Sequence, residues 1–516
     1  MKLTHAVCVM SFVGLPLAQT GCAGHADKTL AARTALDAGD PRGALKALNE
    51  VLEVKSEKDL PQNVGGDNSL LLLDRAMVLQ ELDQYPLSSR DLEVSDKQIE
   101  VLDLSANAAA DIGRYLFSDD VGPYKAPAYE KLMINTMNMM NYLARSDLNG
   151  ARVEARRLAV MQKFMRDKED ASQSLLGPGS YLAGFIFEKS GKPEDALRYY
   201  DEALAYGQYQ SLAEPIRRLS QQASYSSPRF RELLGKVPAP DKDNPPAPAP
   251  DKAPTPDKTK APAPDKAKAP TPDKTRAPAP DKTKAPTPDK TKAPTPDKEQ
   301  ALAADVGPTE AVSNDDAELL VIVNFGRVPA KIAKRVPIGL ALTYASAFIS
   351  PASAAQANQL AMQGLVTWVN YPELGEPRSS YGRPTFMLDG QWQRLEGILA
   401  VDREAKRAWE RARGAIVASA ITRTITRVVA GQATKAAAGG DTLGTLLSLG
   451  LQATLTATDT PDTRNWATLP ARIAFGRLRI KPGSHTITLT APGGSKRQTV
   501  DVPAGGWAVV CLTALN

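Results

Sequence analysis

Over residues 27–235 apolar positions recur at the three- and four-residue spacing of amphipathic helices, and short polar turns interrupt them. Residues 237–299 lack either period. Beyond them, Leu319-Leu320-Val321-Ile322-Val323-Asn324-Phe325 is a continuous apolar run before Gly326, the pattern of a buried strand. The Ala-rich stretch 338–365 predicts packed helix. Residues 401–429 predict one long helix, with Trp409, Ile416, Ile421, Ile425 and Val428 on its apolar side and Arg403, Arg407 and Arg411 four apart on a polar stripe. After Arg472 the period falls to two. Strands are predicted over 473–480, 485–489, 499–502 and 507–512, separated by Pro482-Gly483, Pro492-Gly493-Gly494 and Gly505-Gly506.

The clearest helical signal runs from Gly184 to Leu204. Gly184, Phe187, Ala196, Tyr200 and Ala203 alternate small and aromatic residues as tetratricopeptide (TPR) repeats do, and Gly191-Lys192-Pro193 supplies the turn. Small residues let two antiparallel helices approach, and aromatics fill the groove beside them. Weaker copies start at Ala38-Gly39-Asp40-Pro41, Asp83-Gln84-Tyr85 and Ser146-Asp147-Leu148. Their anchors Ala44, Ser88, Ala151 and Ala196 are unevenly spaced, which predicts a degenerate TPR-like solenoid. Its groove is expected to hold envelope proteins, with Tyr142, Glu154, Arg157 and Tyr200 as candidate binding residues. Glu154 and Arg157 also stand three apart, where an exposed local ion pair is the simpler expectation. Met133, Met137, Met139 and Met140 read either as an adaptable surface or as core filler.

Composition divides the chain more sharply than periodicity. Residues 237–299 hold 18 of the 40 prolines and repeat an octad, Ala253-Pro254-Thr255-Pro256-Asp257-Lys258-Thr259-Lys260 being the first of five. Paired prolines forbid helix and ladder, and the lack of large apolar residues denies the segment a core, so a disordered, extended linker is predicted. Each octad carries a net +1, and five of them equal the +5 of the whole chain. A basic spacer of this kind suits peptidoglycan contact, or simple solubility. Nucleic acid is not expected, since the charge is diffuse and not interleaved with aromatics. All five tryptophans lie beyond the linker.

Lys2 and His5 precede an apolar run from Ala6 to Leu17, the length of a signal-peptide core and too short to span a bilayer. Leu17-Ala18-Gln19-Thr20-Gly21-Cys22 resembles a bacterial lipobox. That resemblance implies cleavage before Cys22, acylation of its thiol, and, with Ala23 next, an outer-membrane anchor facing the periplasm or the cell surface. Only two other cysteines, Cys8 and Cys511, exist, and cleavage would remove the first. Cys511 reads as a buried small hydrophobe.

The expected plan is a signal peptide over 1–21, an acylated N-terminus at 22–26, a TPR-like helical domain over 27–236, a linker over 237–315, and an α+β domain over 316–516 that ends in a small antiparallel β-sandwich. Anchor and outer module are expected to be mechanically uncoupled by the linker. Lys481-Pro482-Gly483-Ser484-His485 resembles the motif of small envelope β modules of the PEGA type, with His485 an ordinary strand residue. Asp462-Thr463-Arg464-Asn465-Trp466 with Leu469-Pro470 resembles the signature of an uncharacterised family of bacterial lipoproteins with TPR-like N-terminal halves. Tyr129-Glu130-Lys131 and Val153-Glu154-Ala155-Arg156-Arg157 are similar to the same family's pattern. Asp462 and Arg464 are expected to pin a turn, and Trp466 to cover a core edge.

Three histidines and three cysteines, widely scattered, offer no metal set, and no cofactor is expected. No Gly-x-Ser-x-Gly elbow or paired-carboxylate motif stands out. The sequence therefore reads as a non-enzymatic outer-membrane scaffold. Its alternatives are an activator of a cell-wall synthase that reaches through the peptidoglycan, and a hydrolase in the C-terminal domain.

Overall fold

The computed structural model describes residues 25–102, 124–168, 170, 172–236, 317–377, 381–437 and 461–516. The signal peptide, Cys22 and the octads lie outside these residues. The first half is helical: α1 (His25–Lys28), α2 (Leu30–Asp37), α3 (Pro41–Val51), α4 (Asp67–Glu81), α5 (Tyr85–Gln98), α6 (Ala128–Ala144), α7 (Leu148–Asp167), α8 (Leu176–Lys189), α9 (Pro193–Tyr206), α10 (Ala213–Leu219) and α11 (Pro228–Lys236), with a short parallel pair, β1 (Glu100–Leu102) and β2 (Lys125–Pro127), before α6.

Four helix pairs, α2–α3, α4–α5, α6–α7 and α8–α9, turn in the same way. Gly39, Asp83, Ser146 and Gly191 each take a left-handed φ between 58° and 71°. The next residue's N–H then reaches back to a carbonyl five residues earlier: Asp40 to Ala35, Gln84 to Leu79, Asp147 to Tyr142, and Lys192 to Phe187. These are Schellman closures, which satisfy the last carbonyls of one helix while the following residue starts the next. Asp40 and Asp147 add side-chain caps on the N–H groups of Gly43 and Gly150, each 2.9 Å. Four residues into each second helix stand Ala44, Ser88, Ala151 and Ala196, all wholly buried. The predicted turns and anchors are all present. In the last pair, a Cβ on Gly184 would come within 2.4 Å of the Tyr200 ring, so only glycine lets α8 and α9 approach this closely.

The second half contributes β3 (Ala317–Arg327), β4 (Lys331–Pro337), α12 (Ile338–Ala345), α13 (Pro351–Met362), β5 (Trp368–Leu374), β6 (Thr385–Leu388), β7 (Gln391–Gln393), β8 (Glu396–Ala400), α14 (Val401–Ala437), β9 (Pro470–Ile480), β10 (Gly483–Ala491), β11 (Gly494–Val502) and β12 (Trp507–Ala514). Two four-stranded sheets, in the orders β12-β3-β9-β8 and β11-β10-β6-β7, face each other, and β4 and β5 form a separate ribbon. The four strands expected after Arg472 are all present, but they do not close on themselves as an antiparallel sandwich. Only β10 and β11 pair directly as a hairpin. β3 inserts between β9 and β12, running antiparallel to one and parallel to the other. The local turns could announce the strands; the insertion of a distant one is a long-range choice that they do not encode.

The apolar run of β3 is continuous because both of its faces are covered. Leu319, Val321, Val323 and Phe325 enter the core between the sheets with Ala474, Ile487, Leu489, Val510 and Leu512. Leu320 and Ile322 point the other way, with Ile473, Phe475, Val509 and Cys511, into the core of the helices. Helices, inner sheet and outer sheet thus form three layers of one compact unit that contains both halves. Two mechanically uncoupled modules were expected; instead the inner sheet buries a second apolar face that it can cover only with the helical half.

Candidate functional site at the junction of helices and sheet

Two polar nodes sit in the plane where the inner sheet meets the helices. The first is built on β9, whose Arg477 projects into α8 and α9. Its guanidinium donates two hydrogen bonds of 2.8 Å to the Glu188 carboxylate, one of 2.8 Å to the Tyr200 hydroxyl, and one to Glu318 on β3. Tyr200 in turn donates to Glu188 at 2.5 Å. Lys189 and Arg218 close on the same carboxylates. Burial works to raise the carboxyls of Glu188 and Glu318, but the Arg477 charge, with Lys189 beside both and Arg218 beside Glu188, outweighs it and holds both below the usual carboxylate range. Tyr181 stacks on Phe475 with ring centroids 4.6 Å apart beside this node.

The second node gathers the motifs that the sequence had singled out. Asp462 and Arg464 form a buried two-pronged pair, with distances of 2.9 and 2.8 Å, and Arg464 also reaches Asp67 at 3.2 Å. Burial would raise the Asp462 carboxyl; the Arg464 hydrogen bonds overcome it and lower its pKa. Trp466 is wholly buried, and its indole N–H donates to the Leu73 carbonyl at 3.2 Å. Its backbone N–H faces Glu130 at 3.4 Å, and Tyr124 donates to the same carboxylate at 2.6 Å. Thr468 donates from backbone and side chain to Asp74, whose other oxygen lies 3.2 Å from His25 Nε2. Lys331 is buried beside Asn465, which accepts its backbone N–H at 3.0 Å, with its ammonium over the Trp409 ring at 5.0 Å. Desolvation lowers the Lys331 pKa and raises that of Glu130. Asp462 and Arg464 do pin a turn, but Trp466 covers the helical core and not the outer edge of the sheet.

The four candidate binding residues separate. Tyr200 is inside the first node and touches the chain's own β9, so it is closed to any partner. Tyr142 is half-buried over Gly150, donates to Glu93, and has its phenol pushed up to about 12, by burial first and by that hydrogen bond second. Glu154 is buried and accepts from Asn135 at 3.0 Å and from Arg157 at 2.8 Å, with its pKa raised because burial outweighs both. Arg157 keeps an exposed face. The expected local pair is present, but its acid is interior. Met133, Met137, Met139 and Met140 are all core. Cys511 is buried, its thiol pushed up to about 12 by desolvation, and His485 accepts or donates at 2.7 Å with Asp389 at the rim of the outer sheet.

Neither described cavity opens on the nodes. One, of about 380 Å³, is lined by Tyr206–Gln210 and Arg394–Leu399 along β8, the outer strand of the inner sheet. The other, of about 370 Å³, lies by Asp83, Tyr85, Lys496 and Cys511. Among the described residues no group of three potential ligands is placed to hold a metal ion, and no helix is long and apolar enough to cross a membrane. Sequence reasoning missed Arg477, Glu188 and Glu318 because their charged neighbours Arg479, Lys189 and Asp316 make each look like part of an ordinary solvated face; their position at the edge of apolar runs was the available signal. No family model matches the chain, and no curated protein matches it.

Proposed function

We propose that the chain is a lipid-anchored, non-enzymatic scaffold of the bacterial envelope whose TPR-like helical half is occupied by its own inner sheet. The observation that carries this reading is the Arg477–Glu188–Tyr200 node, which buries Tyr200, the groove candidate of the TPR-like pattern, against the chain's own β9. Four identical helix closures and their buried small anchors support the TPR-like description. The lipobox ending at Cys22 supports acylation. His25, only three residues further on, is already buried against Asp74, so the anchor would hold the body close to the outer-membrane surface.

Partner capture then falls to the cleft along β8. An outer strand offers unpaired backbone groups, and an extended segment of an envelope protein can add to it. Glu396, held by the Ser211 N–H at 3.1 Å, fixes one wall. In sequence the octads join the two halves of the compact unit, and they carry a net basic charge. A basic, proline-rich segment of this composition suits contact with peptidoglycan. Photocrosslinking in cells from position 398 tests the reading: a discrete envelope-protein adduct is expected. Adducts from Tyr142 or Arg157 and none from 398 would move the site to the helical surface, and adducts from none of them would overturn the scaffold.

A further inference from the structure

Between β4 and β5 the chain makes an excursion through α12 and α13, and none of residues 336–372 is Asp, Glu, Lys, Arg or His, in a chain that is 23% charged. An uncharged stretch of this kind normally lies in a core. Here it is largely exposed: on α12 only Ile338, Ala341 and Ala345 are buried, and on α13 only Ala357 and Leu360. Large apolar side chains stand in solvent along it, Leu340 at 42%, Met362 at 84% and Trp368 at 45% exposure, with Phe348 seated on Gly414 of α14. Exposed large apolar side chains concentrated in one uncharged segment mark a contact site.

The charges that border it are mainly basic. Lys334 and Arg335 stand on β4, Arg335 stacked over the Trp368 ring at 5.3 Å, and Arg411 and Arg413 on α14, Arg413 stacked over Tyr344 at 4.9 Å. Two carboxylates stand beside this rim: Glu373, which Lys334 meets at 2.6 Å from the base of the ribbon, and Glu410, one residue before Arg411 on α14. No acid occurs in 332–372 or 411–426. An apolar tip with a tryptophan at its margin and a cationic collar is the pattern of a segment that rests in a lipid headgroup layer. A soluble protein partner would need a matching acidic rim of its own, whereas an anionic bilayer provides negative charge and apolar depth together.

We propose that the α12–α13 excursion is a membrane-surface contact that inserts Leu340, Phe348 and Met362 into an anionic bilayer while Lys334, Arg335, Arg411 and Arg413 lie against its headgroups. It stands whether or not Cys22 carries lipid, and so is separate from the anchor proposed above.

The test uses the full chain with Cys8→Ser, Cys22→Ser and Met362→Cys, labelled at 362 with an environment-sensitive fluorophore, and a control labelled instead through Glu194→Cys on α9. Vesicles of phosphatidylethanolamine and phosphatidylglycerol should blue-shift the probe at 362 and leave that at 194 unmoved. Pure phosphatidylcholine or high salt should weaken the effect, and Lys334→Glu with Arg335→Glu should weaken binding by about tenfold or more. Equal shifts at both positions, no shift at 362, or a shift indifferent to lipid charge would each overturn the proposal. So would a shift that grows with protein concentration without vesicles, which would make the surface a contact between copies of this chain.

Discussion

Replacing Arg477 with methionine keeps most of the volume and apolar stem of the side chain and removes its charge from a site where it is almost completely buried. Glu188 and Glu318 then face each other without the cation that separates them. Stripping one partner from a buried pair costs about 3–5 kcal/mol. Lys189 and Arg218 remain within reach of the same carboxylates, which sets the expected loss near the lower end, about 3 kcal/mol. That is a factor of roughly 150 in the opening equilibrium. Amide hydrogen exchange in α8, α9 and β9 should accelerate by about that factor, while the hairpin of β10 and β11, whose apolar residues pack in the core between the sheets and away from this node, should change less. The pH dependence adds a second check. Glu188 and Glu318 are held below their ordinary value of 4.5, so their contribution is present above that pH and fades as the solution becomes more acidic. In the variant, burial without Arg477 reverses the sign, and acidification should restore part of the stability. Adding Glu188→Gln to Arg477→Met should likewise recover about 1–3 kcal/mol relative to additivity. Exchange rates within a factor of about two of the wild type at neutral pH, or strict additivity, would refute the claim that this node locks helices to sheet.

Trp466→Ala should cost about 3–5 kcal/mol through the cavity it opens, and chemical unfolding should show both halves losing protection together. Burial raises the Glu81 carboxyl from 4.5 to about 7, so the stability that goes with its protonated form is lost as pH rises through that window; Glu81→Gln should gain roughly 2 kcal/mol over the wild type at pH 8 and nothing near pH 4. Protease cleavage between 237 and 315 should leave two fragments that co-elute and separate only in denaturant, because the junction holds them without the covalent loop. Ser146 sits at a φ of 58°, and Ser146→Gly should stabilise the α6–α7 turn by about 0.5–1 kcal/mol in thermal unfolding. If Cys22 bears the anchor, Cys22→Ala should move the mature protein from lipid-anchored to more easily extracted, read by detergent phase partition, with any residual attachment falling to α12–α13.

What could be read from the sequence was what is local. Gly39-Asp40-Pro41 and Gly191-Lys192-Pro193 carry their turn chemistry in three residues, and even Asp83 and Ser146, without glycine, stand where the turn needs a left-handed residue. The strands after Arg472 announced themselves by period and by Pro-Gly punctuation. Their partners did not, because β3 can satisfy its backbone beside any strand, and its place is decided by which side chains fill two cores at once. Tyr200 shows the same limit. Its spacing marked it as a residue packed between two close helices, as it is, but nothing near it in sequence says that Arg477 meets its hydroxyl. Glu130 and Trp466 were picked out as separate motifs, and their meeting across the junction is a property of the pair.

The insertion of β3 between β9 and β12 has a consequence for the order of events as the chain is made. β3 cannot gain its two neighbours until residues 470–480 and 507–514 have followed it, so the inner sheet assembles last whatever the helices do. Until then the α8 surface that later receives Phe475 and Arg477 is uncovered, displaying Tyr181, Phe185 and a Glu188 paired only with Lys189 and Arg218. A chain emerging from its N-terminus therefore passes through a long interval as a helical body with an open, aggregation-prone face, and interruption anywhere before β12 leaves it there. Its yield in the cell should depend less on how stable the finished fold is than on what shields that face while it waits.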